Sequence, residues 1–174
     1  MKRISLVISG LLFAVITGGL LIWSSPGVSA QGQSSANMLV VAAVTRKCIV
    51  TTAPMDFGQY DPVQTNATAP LDGQATITVA CTKGAVVKIG IDDGTGGTAG
   101  ARRMTGGAST FLTYDLFQDS GHTIRWGNTA SDGYDGGVAP SRDPRSFVVY
   151  GRVAGGQDVA EGAFQDTVVV TVNF

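Results

Sequence analysis

Apolar and polar side chains alternate along the last nine residues of the chain, from residue 166 to residue 174. A period of two predicts a β-strand that buries one face in a core. The backbone groups along the edges of such a strand need hydrogen-bond partners, so this segment predicts a strand that pairs with it. The apolar face of the predicted strand consists of Val168, Val170, Val172 and Phe174.

A second apolar segment lies near the other end of the chain, after Asn37, and it is apolar on both faces. As a strand it offers two rows of side chains, and the pattern alone does not choose between them. A helix is the alternative, but its β-branched residues and its short length disfavour one. One row contains Met38, Val40, Ala42 and Val44, and the other contains Leu39, Val41 and Ala43.

Between these ends, short runs rich in β-branched and aromatic residues are separated by Gly, Pro, Asn and Asp, which is typical of strands joined by turns. No segment of helical length shows a 3.6-residue period after residue 45. The pattern therefore predicts an all-β fold with the turn spacing of a sandwich. The predicted strands cover residues 48–52, 55–60, 74–82, 86–91, 111–117, 123–126, 146–153 and 166–174, with a glycine-rich loop at 127–137.

The first 30 residues have the pattern of a secretory signal peptide. Two basic residues precede an apolar stretch over residues 4–22, and the small-residue ending Val28-Ser29-Ala30 is typical of a signal-peptidase site. An uncleaved membrane anchor is the alternative, because the apolar stretch is nearly long enough to span a bilayer. We predict cleavage after residue 30, which leaves one exported domain.

Charge and cysteine content exclude several functions. The chain carries 12 Lys and Arg against 13 Asp and Glu, and it has no basic run that would bind nucleic acid. Its two cysteines, Cys48 and Cys81, belong to an exported chain and are predicted to form a disulfide. A metal site is disfavoured, since the cysteines lack C-x-x-C spacing and the chain has one histidine.

Candidate catalytic and binding motifs are weak. Residues 94–99 fit the G-x-G-x-x-A spacing of dinucleotide-binding loops, but no helix is predicted to follow, so we predict a hairpin loop. His122 is expected to face solvent in a turn, and no serine lies in a G-x-S-x-G motif. Aspartates beside glycines are typical of turns rather than of catalytic or calcium-binding carboxylates. The sequon at Asn66 is expected in an exposed loop. No enzyme activity, small-molecule substrate or cofactor is predicted.

Several short motifs follow one another in a particular order along the chain. They are residues 55–61, 73–82, Arg103-Met104, 114–119, Trp126-Gly127, 149–153 and 166–174. Together they resemble the spore coat protein U domain over residues 38–174, and this family supplies the subunits of archaic chaperone–usher pili. The family pattern has a tyrosine at the position of Phe164, so this residue departs from the pattern. The order of the motifs makes the resemblance more specific than any one of them.

The resemblance implies an incomplete immunoglobulin-like β-sandwich that lacks its final strand. Residues 31–45 would form a donor-strand extension, and residues 46–174 would form the pilin domain. The extension of one subunit would enter a groove in the next, replacing a periplasmic chaperone at an outer-membrane usher. The implied donor residues are Met38, Val40, Ala42 and Val44, and the implied acceptor residues are Val168, Val170, Val172 and Phe174.

The expected function is therefore that of a non-enzymatic subunit that passes through the periplasm and polymerises with copies of itself into a pilus on the cell surface. Adhesion and biofilm formation are the expected roles of such a pilus. One alternative is a secreted coat or matrix protein that uses the same domain without an usher. Another is a sugar-binding module built on scattered aromatic side chains, although the aromatic residues of a sandwich more often belong to its core.

Overall fold

A computed structural model describes Gly27 and residues 31–174, so the predicted signal peptide lies outside the described residues. In the described part, residues 31–47 contain no helix or strand. Among the described residues, none of the helices has the length and apolar composition of a membrane span. The strands are β1 (Cys48–Thr52), β2 (Leu71–Cys81), β3 (Val86–Ile91), β4 (Arg102–Thr105), β5 (Phe111–Phe117), β6 (Tyr134–Val138), β7 (Arg145–Val153) and β8 (Val170–Asn173), and two 3-10 helices span Thr65–Ala67 and Gly107–Ser109.

The strands form two sheets, which confirms the predicted all-β fold. The larger sheet has the order β1-β2-β7-β5-β4, and the smaller has the order β6-β3-β8. Every strand pair is antiparallel. All the strands belong to one compact unit, residues 42–174.

Alternating apolar residues of both sheets form one core. On β2 the buried side chains include Ile77 and Val79, and on β3 they include Val87 and Ile89. Trp126 is fully buried between the sheets, where its indole Nε1 donates to the carbonyl oxygen of Ile89 at 2.9 Å. Since side chains from two sheets share this core, the molecule is a β-sandwich.

Two predicted strands are absent and two strands were missed. Residues 55–60 have no ladder partner, although Met55 and Phe57 still point inward, so the periodicity was correct and the pairing was wrong. Residues 123–126 make only an isolated bridge between Arg125 and Phe117. The missed strands are β4, which is rich in arginine, and β6, which lies in the glycine-rich stretch. Both were missed because backbone pairing with an adjacent strand, and not side-chain alternation, forms them.

Two polar residues expected in solvent are buried. Asn66 is 2% exposed, and its side chain accepts from the Asp61 backbone N–H at 2.9 Å and donates to the Ala69 carbonyl oxygen at 3.1 Å. The sequon therefore lies in a loop whose neighbouring residues are exposed, but its asparagine side chain is buried and fixes the turn. The imidazole of His122 is 7% exposed and packs edge-on against Phe117. Aromatic packing explains why this turn histidine does not face solvent.

The predicted disulfide between Cys48 and Cys81 is present, and it joins β1 to β2 at directly opposed positions. We expect the double substitution of both cysteines by serine to lower the free energy of unfolding by about 2–4 kcal/mol, because the open chain gains conformational entropy when unfolded. Urea denaturation of the oxidised chain and of the variant measures the difference. Reduction of the native chain is expected to give the same midpoint as the variant, and an unchanged midpoint in both would contradict the prediction.

Candidate functional site

An apolar groove lies between an edge of the larger sheet and an edge of the smaller one. One wall is the chain that follows β1, residues 52–57, and the other wall is residues 164–170, which lead into β8. The groove contains a cavity of about 370 Å³ whose floor is the core of the sandwich. Floor residues shared with the core include Ile77, Ile91, Leu116 and Val149.

A second cavity, of about 560 Å³, continues the groove toward the end of the sandwich. It extends past Tyr60 and Leu71 on one side and past residues 159–163 on the other. Four apolar side chains line both cavities, so the two form one continuous groove. These shared residues are Met55, Phe57, Met104 and Phe164.

Strand β8 forms part of one wall and is the outermost strand of its sheet. It pairs with β3 along one side, from Ile91 opposite Val170 to Lys88 opposite Asn173. Along its other side, no strand among residues 31–174 pairs with it. A free edge of this kind can pair with an added strand.

The predicted acceptor row has unequal burial. Val168, Val170 and Val172 are half-buried and pack against the core. Phe174 is 46% exposed at the end of the chain. Three of the four side chains therefore point into the sandwich without being fully covered, and the fourth is the most exposed of the row.

The predicted donor segment is exposed. Met38, Val40 and Val44 are 81–88% exposed, and Ala42 is exposed as well. The alternative row is no better covered, since Leu39 and Val41 are 79–87% exposed. So large an apolar run in solvent is uncommon in soluble proteins. The exposure alone does not distinguish the two rows.

Sequence reasoning missed much of the groove. The wall at residues 52–57 was predicted as part of two strands, and its contribution to a groove was not recognised. The alternation of Met55 and Phe57 was a signal of that wall, because both side chains turn inward while Asp56 and Gly58 stay exposed. Met104 and Phe164 gave no such signal, since neither lies in an alternating run.

Polar contacts hold the segment that leads into β8. The carboxylate of Asp166 accepts from the Gly96 N–H at 2.9 Å, from the Thr167 N–H at 2.8 Å and from the Tyr114 hydroxyl at 2.8 Å. Burial alone would raise the pKa of Asp166, but these hydrogen bonds lower it overall. Burial, together with the hydrogen bond to Asp166, raises the pKa of Tyr114 well above its ordinary value. The carboxylate is therefore ionised at neutral pH and the phenol is not.

A buried guanidinium lies next to this segment. The side chain of Arg102 is fully buried and pairs with Asp115 at 2.6 Å. Its remaining N–H groups donate to the carbonyl oxygens of Ile91, Asp92 and Trp126 at 2.6–2.8 Å. These bonds fix the end of β3, which is the strand that β8 pairs with.

Metal ligands and aromatic side chains were the other candidates for a site in the described residues. No group of three His, Cys, Asp or Glu side chains within residues 31–174 is arranged to hold a metal ion. One aromatic cluster is internal, since Trp126 stacks on Tyr134 at 4.9 Å and Tyr134 packs edge-on against Phe147 at 5.4 Å. These aromatic rings therefore belong to the core rather than to a binding platform.

The fold and the groove define the class as a pilin-like β-sandwich. A solved structure of the CsuC–CsuE chaperone–tip adhesion subunit pre-assembly complex, from the archaic chaperone–usher Csu pili of Acinetobacter baumannii, aligns with a TM-score of 0.56 and 22% identity. The alignment covers 75% of this chain and 40% of the other. The minor tip subunit HdaB of the Escherichia coli Hda pilus is less similar, with a TM-score of 0.38, 19% identity and coverage of 71% and 79%.

The family follows from the sequence matches. The model of the Spore Coat Protein U domain matches residues 34–171. The protein named Protein U of Myxococcus xanthus is 35% identical, over 92% of this chain and 95% of its own length. The chain belongs to the spore coat protein U domain family.

Proposed function

We propose that the chain is a structural subunit of a chaperone–usher surface pilus that polymerises by donor-strand exchange. Residues 31–45 of one copy act as the donor, and the groove between residues 52–57 and 164–170 of the next copy is the acceptor. The subunit is exported to the periplasm, held there by a chaperone, and passed to an outer-membrane usher. The assembled fibre serves adhesion and biofilm formation.

The observation that carries the proposal is that one chain has both an open groove and an exposed apolar segment. The groove has a core floor and an unpaired strand edge on one wall. The segment before β1 is apolar, exposed and free of helix or strand. An added strand would cover the floor and would pair with β8, which satisfies both features at once.

The row Met38, Val40, Ala42 and Val44 is the one that the family resemblance implies, and its side chains share one face of an extended strand. Each fully buried Met or Val stabilises the complex by about 1.5–3 kcal/mol. The half-buried side chains Val168, Val170 and Val172 lose solvent contact in the same step. The insertion therefore completes the core of the acceptor.

A coat or matrix protein assembled without an usher is the second candidate. It is favoured by the 35% identity to Protein U over nearly the whole of both chains and by the name of the family. Both candidates use the same groove and the same extension. They differ in partners, so chaperone and usher genes beside this gene support the pilus, and their absence supports the coat.

A photo-cross-linking residue at position 40 tests the strand exchange. The assembled polymer is irradiated, and the covalent dimers are digested and mapped by mass spectrometry. We expect cross-links from position 40 of one copy to residues 52–57 or 164–170 of another copy. This readout does not depend on the register of the inserted strand.

Position 63 provides the matched control, because Val63 is 82% exposed and Val40 is 81% exposed. The probe at position 63 lies in a loop outside the extension and is expected to give no cross-link to the groove. Equal cross-linking from both positions would contradict donor-strand insertion. So would cross-links from position 40 that all map outside the groove.

A further inference from the structure

The glycine-rich loop that follows β3 holds a carboxylate of the same chain. Residues 94–97 have the Gly-x-Gly-Gly sequence, and the backbone N–H of Gly96 donates to Asp166 at 2.9 Å. The hydroxyl of Thr95 donates to the same oxygen at 3.0 Å. Loops of this kind use backbone N–H groups to bind anions. Here the anion is the Asp166 side chain.

This loop requires glycines because other groups of the protein approach its backbone closely. Gly94 has a φ of +77°, which side chains with a Cβ rarely adopt, and a Cβ at this position would collide with the Asp166 carboxylate. A Cβ at Gly97 would collide with the carbonyl oxygen of Asp93. The spacing that resembles a dinucleotide loop therefore fits an internal carboxylate.

The loop binds the backbone of the groove wall as well. The Thr95 N–H donates to the Thr167 carbonyl oxygen at 3.0 Å. Asp92 accepts from the Val169 N–H through its side chain at 2.8 Å and donates from its own N–H to the Val169 carbonyl oxygen at 3.1 Å. Residues 166–169 are thus held on one side by this loop, just before β8 begins.

We propose that Asp166 is a positioning residue for strand capture. We call the Asp166 carboxylate, with Thr95, Gly96, Tyr114 and Thr167, the Asp166 clamp. The clamp holds the wall of the groove in a strand-ready position before any donor arrives. This inference rests on the proposed function, since it assigns a role in that same groove.

The physical reason is that the wall has strand support on one side only. A segment with a free edge opens locally more easily than one that is paired on both sides, and the ladder of β8 with β3 is four residues long. A frayed wall has to be ordered during binding, which lowers affinity and slows capture. The clamp orders residues 166–169 in advance with bonds that do not need the donor.

Three variants of the full exported chain test the clamp. Asp166→Ala leaves the N–H groups of Gly96 and Thr167 without their acceptor and is expected to slow capture about tenfold or more. Asp166→Asn keeps an amide oxygen for these N–H groups, and its amide nitrogen donates to the Tyr114 oxygen, so capture is expected within about threefold of the native rate. Asp119→Ala is the control.

Like Asp166, Asp119 accepts hydrogen bonds from backbone N–H groups, but it lies elsewhere in the fold. Its carboxylate accepts from the backbone N–H groups of Thr123 and Ile124 at 2.8–3.2 Å. Asp119 does not line the groove. If removing any carboxylate that binds backbone N–H groups slowed capture, then both Asp166→Ala and Asp119→Ala would capture the peptide slowly. A role in positioning the wall predicts the effect for Asp166→Ala alone.

Two measurements are made on each variant. The first is the rate at which the chain captures a labelled peptide of residues 34–45. The second is amide hydrogen exchange, where Asp166→Ala is expected to speed exchange at Thr167 and Val169 while β2 and β7 keep their protection. If Asp166→Ala does not fold, Tyr114→Phe removes one bond of the clamp and is expected to slow capture about two- to fivefold.

The outcomes separate the two proposals. The clamp is supported if the native chain captures the peptide, Asp166→Ala captures it slowly, and Asp166→Asn captures it at nearly the native rate. Native chain and Asp166→Ala with equal capture rates would overturn the clamp and leave strand exchange standing. Failure of the native chain to capture the peptide would overturn the proposed function, and with it the role of the clamp.

Discussion

Val40→Asp is expected to abolish fibres while the subunit itself stays folded. Val40 lies in the middle of the proposed donor row, and it is 81% exposed in the subunit. In the groove an aspartate would lose its hydration without gaining a partner, at a cost of several kcal/mol. A loss of about 4 kcal/mol weakens insertion roughly a thousandfold. Electron microscopy of cells and circular dichroism of the purified subunit measure the two effects.

Val41→Asp is the matched control for this change. Val41 is 79% exposed and is the next residue along the extension, but its side chain belongs to the other row. In an inserted strand it would face away from the acceptor core, so fibres are expected to persist. Fibres from Val40→Asp and none from Val41→Asp would assign the donor row to residues 39, 41 and 43. Normal fibres from both would mean that this segment is not the donor.

The sequence predicted the strands whose side chains alternate. The alternation of Ile77, Val79 and Cys81 in β2 arises because one face of that strand is buried in the sandwich core. β3 and β5 were predicted with the bounds that the structure has, because turn residues interrupt the chain at both ends. The spacing of apolar side chains and the turn residues at the ends of a run are local signals. They are sufficient to predict a strand where one face is buried and the turns are sharp.

The groove needed information that no local signal carries. Its two walls are more than 100 residues apart in sequence, and they meet only because β1 and β8 lie at sheet edges. Pairing between distant strands is set by the packing of the whole sandwich, which a single window does not contain. The alternation of Met55 and Phe57 indicated burial but not what would cover it.

The Asp166 clamp could not be predicted from local sequence signals either. The spacing at residues 94–97 was interpreted as a plain hairpin loop, and the loop binds the carboxylate of Asp166, which is about 70 residues away. A glycine-rich loop indicates close approach of some group to the backbone. Which group approaches depends on the tertiary fold. The buried Arg102 is of the same kind, since a charged residue in a predicted loop gives no sign that it is the partner of Asp115.

Arg102→Ala is expected to destabilise the folded domain by about 3–5 kcal/mol. The change removes the donors to the carbonyl oxygens of Ile91 and Asp92 at the end of β3 and to that of Trp126. It also takes one of the two guanidinium partners from Asp115. Buried acceptors without donors pay their full desolvation cost. Urea denaturation of the full chain measures the loss, which is a large fraction of a typical domain stability.

Arg152→Ala is the control that separates burial from pairing. Arg152 binds Asp72 with two hydrogen bonds of 2.6–2.7 Å, but its side chain is 35% exposed and that of Asp72 is 46% exposed. A pair in contact with water contributes about 0–1 kcal/mol, because water replaces the lost bonds. Arg102→Lys keeps the charge and loses the forked geometry, so an intermediate loss is expected. Equal shifts of the unfolding midpoint for Arg102→Ala and Arg152→Ala would mean that the buried network does not hold the end of β3, and the wall of the groove would then need another support.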